Sequence, residues 1–315
     1  MITVNVWGNE FTDALSRRSV TTFVVRALAR GQENKIITDT NTPHEQLARA
    51  LAQRFERFPT VEAIALGGSQ ARGAGDAQSD IDLYVFSLAV IPLSARQALV
   101  ADMRATRADL NLQFWDLGDE WYDAATGIEV DVIYWEPAWI EGRLDRLWRQ
   151  HQASLGYSTC FWTTIRHARP LFDRSGWFGA LQRQSEQPYP EALRSAIVTK
   201  NHAVLRSVIP SYAHQIEKAS RRGDRVSLNH RVAALLASYF DVLFALNRVL
   251  HPGEKRLVEQ AQAQCARLPA AMAEQVEAVL QATCATDGSL LQRVRALLDS
   301  LDDLLRQDGF EGRTT

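Results

Sequence analysis

The sequence is poor in cysteine and has no long apolar run, and each shortage excludes a class of protein. Three cysteines in 315 residues cannot form a disulfide framework, and no Cys-x-x-Cys pair indicates zinc. Apolar runs such as Val232–Leu236 are far shorter than the roughly 18 residues that a membrane span needs. Polar residues from Asn5 to Asp13 interrupt any signal-peptide core. We therefore expect a cytoplasmic, reduced protein with no membrane partner.

Several catalytic signatures are also missing. The chain has no Gly-x4-Gly-Lys-Ser/Thr and no His-Glu-x-x-His, and the run Gly67–Ala71 lacks the last glycine of a Gly-x-Ser-x-Gly elbow. A P-loop protein is thereby excluded. The net charge of −2 disfavours nucleic acid as a partner, although it leaves room for a local basic groove.

The composition that is present belongs to a globular protein of about two domains. Hydrophobic residues make up 46% and charged residues 23%, and domains of roughly 100 to 200 residues divide such a chain in two. Residues 1–40 show no clear pattern and predict an appended segment. We expect an α/β (α+β) domain with a mixed sheet over residues 41–140, followed by an all-helical bundle over residues 141–315.

Local patterns support this division. Thr42 and Pro43 start a helix well, and apolar residues follow at helical spacing. Pro210 and Pro269 should break two of the helical stretches in the second half. Short apolar or alternating runs predict strands over 61–66, 80–86, 110–117 and 128–134, and helical patterns cover 94–107, 139–150, 192–222, 229–250, 253–282 and 289–305.

A glycine-rich turn follows the first predicted strand. Gly67 and Gly68 would let the phosphates of a nucleoside triphosphate come close to backbone N–H groups. The hydroxyl of Ser69 adds a hydrogen-bond donor. Taken alone, such a run is more often only a turn.

Three aspartates indicate a metal site. Asp80 and Asp82 alternate with apolar residues, so their carboxylates lie on one face of a strand. Asp131, on a later alternating strand, is the best candidate for a third carboxylate. Carboxylate oxygens suit Mg²⁺, and two metal ions about 3.5–4 Å apart can clamp an in-line displacement at phosphorus.

These residues at this spacing resemble the nucleotidyltransferase superfamily that includes DNA polymerase β. The run Gly-Gly-Ser-x-Ala-Arg-Gly from Gly67, followed by Ser-Asp-Ile-Asp-Leu ending at Leu83, is most similar to bacterial small-molecule nucleotidyltransferases, which include aminoglycoside and lincosamide adenylyltransferases. The motif covers residues 66–135, and the helical half fits more loosely. The segment Phe240–Leu257 resembles uncharacterised members with a helical C-terminal domain. The likeness implies ATP, Mg²⁺ and transfer of a nucleoside monophosphate, and it does not identify the acceptor.

The resemblance assigns catalysis and metal binding to Asp80, Asp82 and Asp131. Glu120 could be the general base that takes a proton from an acceptor hydroxyl, or it could be a surface loop acid. Asp131 is the other candidate for the base.

The resemblance also assigns nucleotide binding to Gly67, Gly68 and Ser69. Arg72 lies near the phosphates or holds the loop, and Ser79 caps or hydrogen-bonds the loop before the strand. The chain has only four lysines, and Lys255 is the one expected to reach the β- or γ-phosphate, with Lys200 and Lys218 as alternatives.

Two enzymatic hypotheses follow for the acceptor. The first is a hydroxyl of a small molecule such as an aminoglycoside-like compound, because acids between Asp116 and Glu136 could attract a polycation. The second is a protein or RNA, as in antitoxin-like AMP transfer to a partner. The intact aspartates argue against a non-catalytic nucleotide sensor. The sequence is compatible with a homodimer.

Overall fold

The computed structural model describes residues 42–71, 79–114, 116–285 and 288–310, which form two compact units. The first unit holds the described residues up to Glu141 together with Thr164–Glu186, and the second holds Gly142–Thr163 and the described residues from Gln187. The appended segment expected over residues 1–40 lies outside the described residues. Within the described ranges, no helix combines the length and the apolar character that a bilayer crossing requires.

The first unit is built on a six-stranded mixed sheet, as the α/β interpretation predicts. Its strands, in chain order, are β1 (Val61–Leu66), β2 (Ile81–Ser87), β3 (Arg107–Leu112), β4 (Gly118–Tyr122), β5 (Glu129–Trp135) and β6 (Arg169–Asp173). Their order across the sheet is β3-β4-β5-β2-β1-β6. β2 and β5 run parallel, and every other neighbouring pair is antiparallel.

Helices accompany this sheet. In chain order they are α1 (Pro43–Phe55), α2 (Gly68–Ala71), α3 (Leu93–Asp102), α4 (Pro137–Trp148), α5 (Cys160–His167) and α6 (Trp177–Ser185), of which α4 and α5 each pass from one unit to the other along the chain. α1 begins as its sequence predicts, because the Oγ1 of Thr42 accepts the N–H of Glu45 at 3.2 Å.

Alternation along β2 separates the core from the site. Ile81, Leu83 and Val85 are fully buried in the core that also takes the apolar face of α1. Asp82 and Tyr84 point to the opposite face. One face of β2 therefore packs in the core with α1, and the other carries acidic and aromatic side chains.

The strand predictions were wrong at the edges of the sheet. The helix expected over 94–107 ends at Asp102, and β3 begins at Arg107. β4 and β6 were not predicted. β4 places an aspartate on its core face, which removes the apolar signal of a strand. β6 contains Pro170, a residue that edge strands tolerate.

The expected single boundary after residue 140 differs from the observed division. Thr164–Glu186 belongs to the first unit because β6 pairs with β1, with Ala63 opposite Asp173 and Ile64 opposite Phe172. The carboxylate of Asp173 also accepts the N–H groups of Phe178 and Gly179 at the start of α6. This segment therefore completes the sheet edge.

A buried ion pair holds the outer strands. Arg96 of α3 and Asp119 of β4 are 1% and 0% exposed and form a salt bridge. The carboxylate of Asp119 also accepts the N–H of Asn111 and the hydroxyl of Tyr134, each at 2.8 Å. The Nε of Arg96 donates to the carbonyl of Ile91 at 3.1 Å. The pair thus links β3, β4 and β5 to α3.

Asp119→Ala should strongly destabilise the protein, because it leaves the buried Arg96 guanidinium without its counter-charge. We expect the free energy of unfolding to fall by about 3–5 kcal/mol. Urea unfolding followed by tryptophan fluorescence measures it. The control is Asp109→Ala, an exposed neighbour, which should change the free energy of unfolding by less than about 0.5 kcal/mol. Equal losses in the two variants would contradict the role of the buried pair.

The second unit is helical. Its helices are α7 (Glu191–His202), α8 (Tyr212–Arg222), α9 (Arg225–Leu246), α10 (Leu257–Gln264), α11 (Met272–Cys284) and α12 (Leu290–Gln307), and a π-helical turn, Ala203–Ser207, follows α7. Pro210 lies between α7 and α8, and Pro269 lies between α10 and α11. The predicted helix breaks at these two prolines are confirmed.

A buried carboxyl lies at the centre of this unit. Asp241 of α9 is 1% exposed and accepts hydrogen bonds from the N–H of Ser158 (3.0 Å), its hydroxyl (2.6 Å) and the side-chain amide of Asn201 (3.0 Å). Burial raises the pKa of Asp241 from 3.8 to about 7 despite these bonds. The network ties the segment before α5 to α7 and α9.

Asp241 should make stability fall as pH rises. Because its pKa is raised on folding, the folded state keeps a proton that the unfolded state has lost between pH 3.8 and about 7. Its contribution therefore declines across that window and is constant above it. Asp241→Asn should flatten the decline in the urea midpoint between pH 5 and 7. Parallel profiles for the two proteins would show that Asp241 does not cause it.

Candidate active site

A row of carboxylates crosses the open face of the sheet. Asp82 on β2 is the register partner of Asp131 on β5, and Asp131 is the partner of Glu120 on β4. Paired residues project to the same face, and neighbouring strands lie about 4.8 Å apart. Asp109 on β3 extends the row opposite Glu120, and Asp80 immediately precedes β2. The structure thus brings together all four acidic site residues expected from the sequence.

Burial and, after it, neighbouring negative charges raise the pKa of Asp131, the central member of this row. The pKa of Asp131 rises from 3.8 to about 7, first because the carboxyl is buried and then because of the charges on Asp82, Glu120, Asp80 and Glu129. A cation beside these oxygens would reverse both effects.

The donor set fits a hard divalent cation in charge and atom type. Carboxylate oxygens on neighbouring strands are the ligands that Mg²⁺ prefers. In the portions of the chain that the structure describes, no three His, Cys, Asp or Glu side chains are grouped closely enough to hold a metal ion as they stand. The residues that would ligate a metal are therefore adjacent in the sheet without converging on one point.

The glycine turn lies directly against this row. The N–H of Gly67 donates to the carbonyl of Asp82 at 2.8 Å. Gly68 has a φ of 59°, and a Cβ added there would lie 1.7 Å from the Oδ2 of Asp82. Only glycine fits at this position, because both the backbone conformation and the space exclude a side chain. The side chain of Ser69 and the whole of Arg72 lie outside the described residues.

The chain before β2 is anchored to α1. The Nε2 of His44 lies 2.9 Å from the carbonyl oxygen of Ser79 and must be the donor, since a carbonyl only accepts. The contact fixes the backbone next to Asp80. The expected bond from Ser79 to the loop lies outside the described residues, and the bond that the structure shows joins the Ser79 carbonyl to α1. Sequence analysis missed His44, because nothing in a helical pattern marks one half-buried position as the partner of a distant segment.

Two further predictions have different outcomes. Glu120 is not a loop acid, because it lies within β4 beside Asp131. Lys255 belongs to the second unit, in the segment between α9 and α10, and its contact with a triphosphate stays a prediction. Of the alternatives, Lys200 donates to the carbonyl of Ala153 at 2.6 Å.

Three acids in the stretch between Asp116 and Glu136 hold parts of the fold together. Asp119 forms the buried salt bridge with Arg96. The Asp123 carboxylate accepts the N–H and the hydroxyl of Thr126. Asp116 accepts the indole N–H of Trp135 at 2.7 Å. Attraction of a polycation by the stretch stays a prediction.

Residues 44–139 match the family of nucleotidyltransferase domains. This chain carries a nucleotidyltransferase domain. The matched range contains His44, the glycine turn and the acidic row. Residues 161–257, which include Lys255, match a second family described as a domain of unknown function (DUF4037). No curated protein matches the chain significantly.

Two solved structures are similar to this chain at low identity. A nucleotidyltransferase-like protein from Exiguobacterium sibiricum 255-15 aligns with 84% of this chain and 74% of its own, at 14% identity and a TM-score of 0.41. The STING-associated CdnE c-di-GMP synthase from Capnocytophaga granulosa aligns with 84% of this chain and 80% of its own, at 12% identity and a TM-score of 0.28. At these scores neither likeness carries an argument about this chain.

Removing the central charge of the acidic row should stabilise the metal-free protein. In chelator at pH 8, Asp131→Asn abolishes a buried charge that four neighbours repel. We expect the free energy of unfolding to rise by roughly 1–3 kcal/mol, given 1.36 kcal/mol per unit of pKa shift. Thermal or urea unfolding measures the change, and Asp109→Asn at the exposed end of the row is the control. A lower free energy of unfolding for Asp131→Asn than for the unchanged protein would refute the idea that the charge on Asp131 destabilises the fold.

Proposed function

We propose that this protein is a Mg²⁺-dependent nucleotidyltransferase that moves AMP from ATP to a hydroxyl of a small molecule. The observation that carries the proposal is the register of Asp82, Asp131 and Glu120 on three neighbouring strands, with the glycine turn against Asp82. A site that gathers negative charge next to closely approachable backbone suits a polyphosphate bridged by cations.

The aspartates would hold the cation, and the turn would hold the phosphates. Asp80, Asp82 and Asp131 supply the carboxylate oxygens. A Mg²⁺ ion held by them would supply positive charge to offset that of the phosphates. The turn at Gly67 and Gly68 lets the triphosphate approach the backbone. The role of Lys255 at the β- or γ-phosphate is part of the same proposal.

A carboxylate of the row would take the acceptor proton. We assign this to Glu120, because it adjoins Asp131 and is not needed as one of the three ligands. The acceptor oxygen gives its proton to Glu120 and forms a bond to the α-phosphorus. The bond from that phosphorus to the bridging oxygen breaks, and pyrophosphate leaves. Asp131 is the alternative base.

A cationic acceptor suits this face. Glu120 and Asp109 extend the acidic row beyond the metal-binding aspartates towards the edge of the sheet. Amino groups of an aminoglycoside-like compound would find opposite charge there. We also propose a cytoplasmic location, in keeping with an ATP substrate and with three cysteines that form no disulfide.

The test is transfer of label from α-labelled ATP by the purified protein with Mg²⁺ and a panel of aminoglycosides and lincosamides. Pyrophosphate release is followed in parallel. Labelled panel compounds and loss of transfer in chelator support the proposal. Label on a co-purifying protein or RNA, with none on the panel, would replace the small-molecule acceptor by a macromolecular one.

Asp82→Asn is the decisive variant, because it removes one ligand charge and keeps the shape. We expect transfer to fall by about 100-fold or more, as for loss of other preorganised charge-stabilising groups. Asp102→Asn, which changes an exposed aspartate at the end of α3 and outside the row, should stay within about twofold of the unchanged protein. Undiminished transfer by Asp82→Asn would refute the assigned site.

A further inference from the structure

The two glycines of the turn are required for different reasons. Gly68 has a positive φ and its missing side chain leaves room for the Asp82 carboxylate. Gly67 is not among the glycines with positive φ. A Cβ added at Gly67 would nevertheless lie 2.2 Å from Cε2 and 2.9 Å from Cζ of the Tyr84 ring. The restriction at Gly67 is therefore imposed by a neighbour.

The Tyr84 ring is held in place from behind. It stacks on Trp135, with 4.7 Å between ring centroids and 10° between planes, and the two side chains are 8% and 4% exposed. The indole N–H of Trp135 donates to Asp116, and its ring also contacts Phe86 and Trp139. A ring packed in this way cannot rotate to make room for a side chain at residue 67.

Strand register explains the stack. Tyr84 follows Asp82 on the same face of β2, and Trp135 is the register partner of Phe86, so Trp135 is the diagonal neighbour of Tyr84. Phe86 contacts Trp135, and its register partner on β1 is Ala63, four residues before Gly67. The glycine turn packs on Tyr84, and the N–H of Gly67 donates to the carbonyl of Asp82.

We infer that Tyr84, backed by Trp135, is a positioning residue that sets the place of the Gly67–Gly68 turn beside Asp82. It acts through the turn and has no contact with substrate assigned to it. Its effect on nucleotide binding rests on the proposed function, whereas its effect on the turn does not.

A double-mutant cycle tests the packing without any nucleotide. Gly67→Ala should lower the melting temperature by about 4 °C or more in the unchanged background, and by no more than about 1 °C when Tyr84→Val has removed the ring. Phe86→Val is the matched control, since it removes an equally buried ring whose register partner on β1 is Ala63. In the Phe86→Val background, Gly67→Ala should still lower the melting temperature by about 4 °C or more. Additive effects of Gly67→Ala and Tyr84→Val would overturn the inference.

The second glycine supplies an internal contrast. Gly68→Ala should stay damaging when combined with Tyr84→Val, because its positive φ and the Asp82 carboxylate are unaffected by the ring. Relief of Gly68→Ala by Tyr84→Val would mean that the variant merely loosens the region, and this too would overturn the inference.

Nucleotide kinetics then test the positioning role. Tyr84→Val should raise the KM for Mg-ATP by about tenfold with a smaller change in kcat, whereas Tyr84→Phe, which keeps the ring, should stay within about twofold. Phe86→Val should leave this KM near that of the unchanged protein. Equal KM effects of Tyr84→Val and Phe86→Val would overturn the inference. If the unchanged protein neither binds nor turns over Mg-ATP, the proposed function is refuted. The double-mutant cycle in melting temperature would still test whether the Tyr84 ring restricts Gly67.

Discussion

The parallel pairing of β2 with β5 is the constraint on which the rest of the site depends. These strands lie far apart in sequence, and their hydrogen bonds place Asp82 directly beside Asp131. Because side chains alternate, a slip of one residue would send one of the two carboxylates into the apolar core. The buried residues Leu83 and Val132, which alternate with these aspartates, make such a slip costly. Burial of one face therefore sets the spacing of charge on the other.

Charge is treated differently on the two faces of the sheet. On the core face, Asp119 is neutralised by Arg96 and by two further donors. On the open face, the adjacent Glu120 projects towards Asp131, whose pKa rises to about 7 because its charge is buried and repelled. One strand thus carries a stabilising carboxylate and a site carboxylate in succession. The first holds the strand in the register that gives the second its place.

Local patterns in the sequence were sufficient for α1, β1, β2 and β5, because each shows a helical or alternating rhythm that burial reinforces. β4 and β6 escaped prediction for definite reasons. Asp119 interrupts the apolar alternation of β4, and Pro170 argues against a strand unless the strand lies at an edge. Glu120 was accordingly weighed as a loop acid. His44 and Tyr84 carried no signal, since their importance comes from Ser79 and Gly67, which they meet only in the folded chain.

The sequence by itself determined the residue types of the site, its glycine turn and its three aspartates, because a resemblance in motif and spacing depends on local order along the chain. The tertiary structure alone decided which carboxylates are neighbours, that Glu120 joins them, and that Gly67 is confined by a tyrosine ring. Those facts depend on strand register and on side-chain packing between distant segments, and both follow from long-range burial rather than from any local pattern.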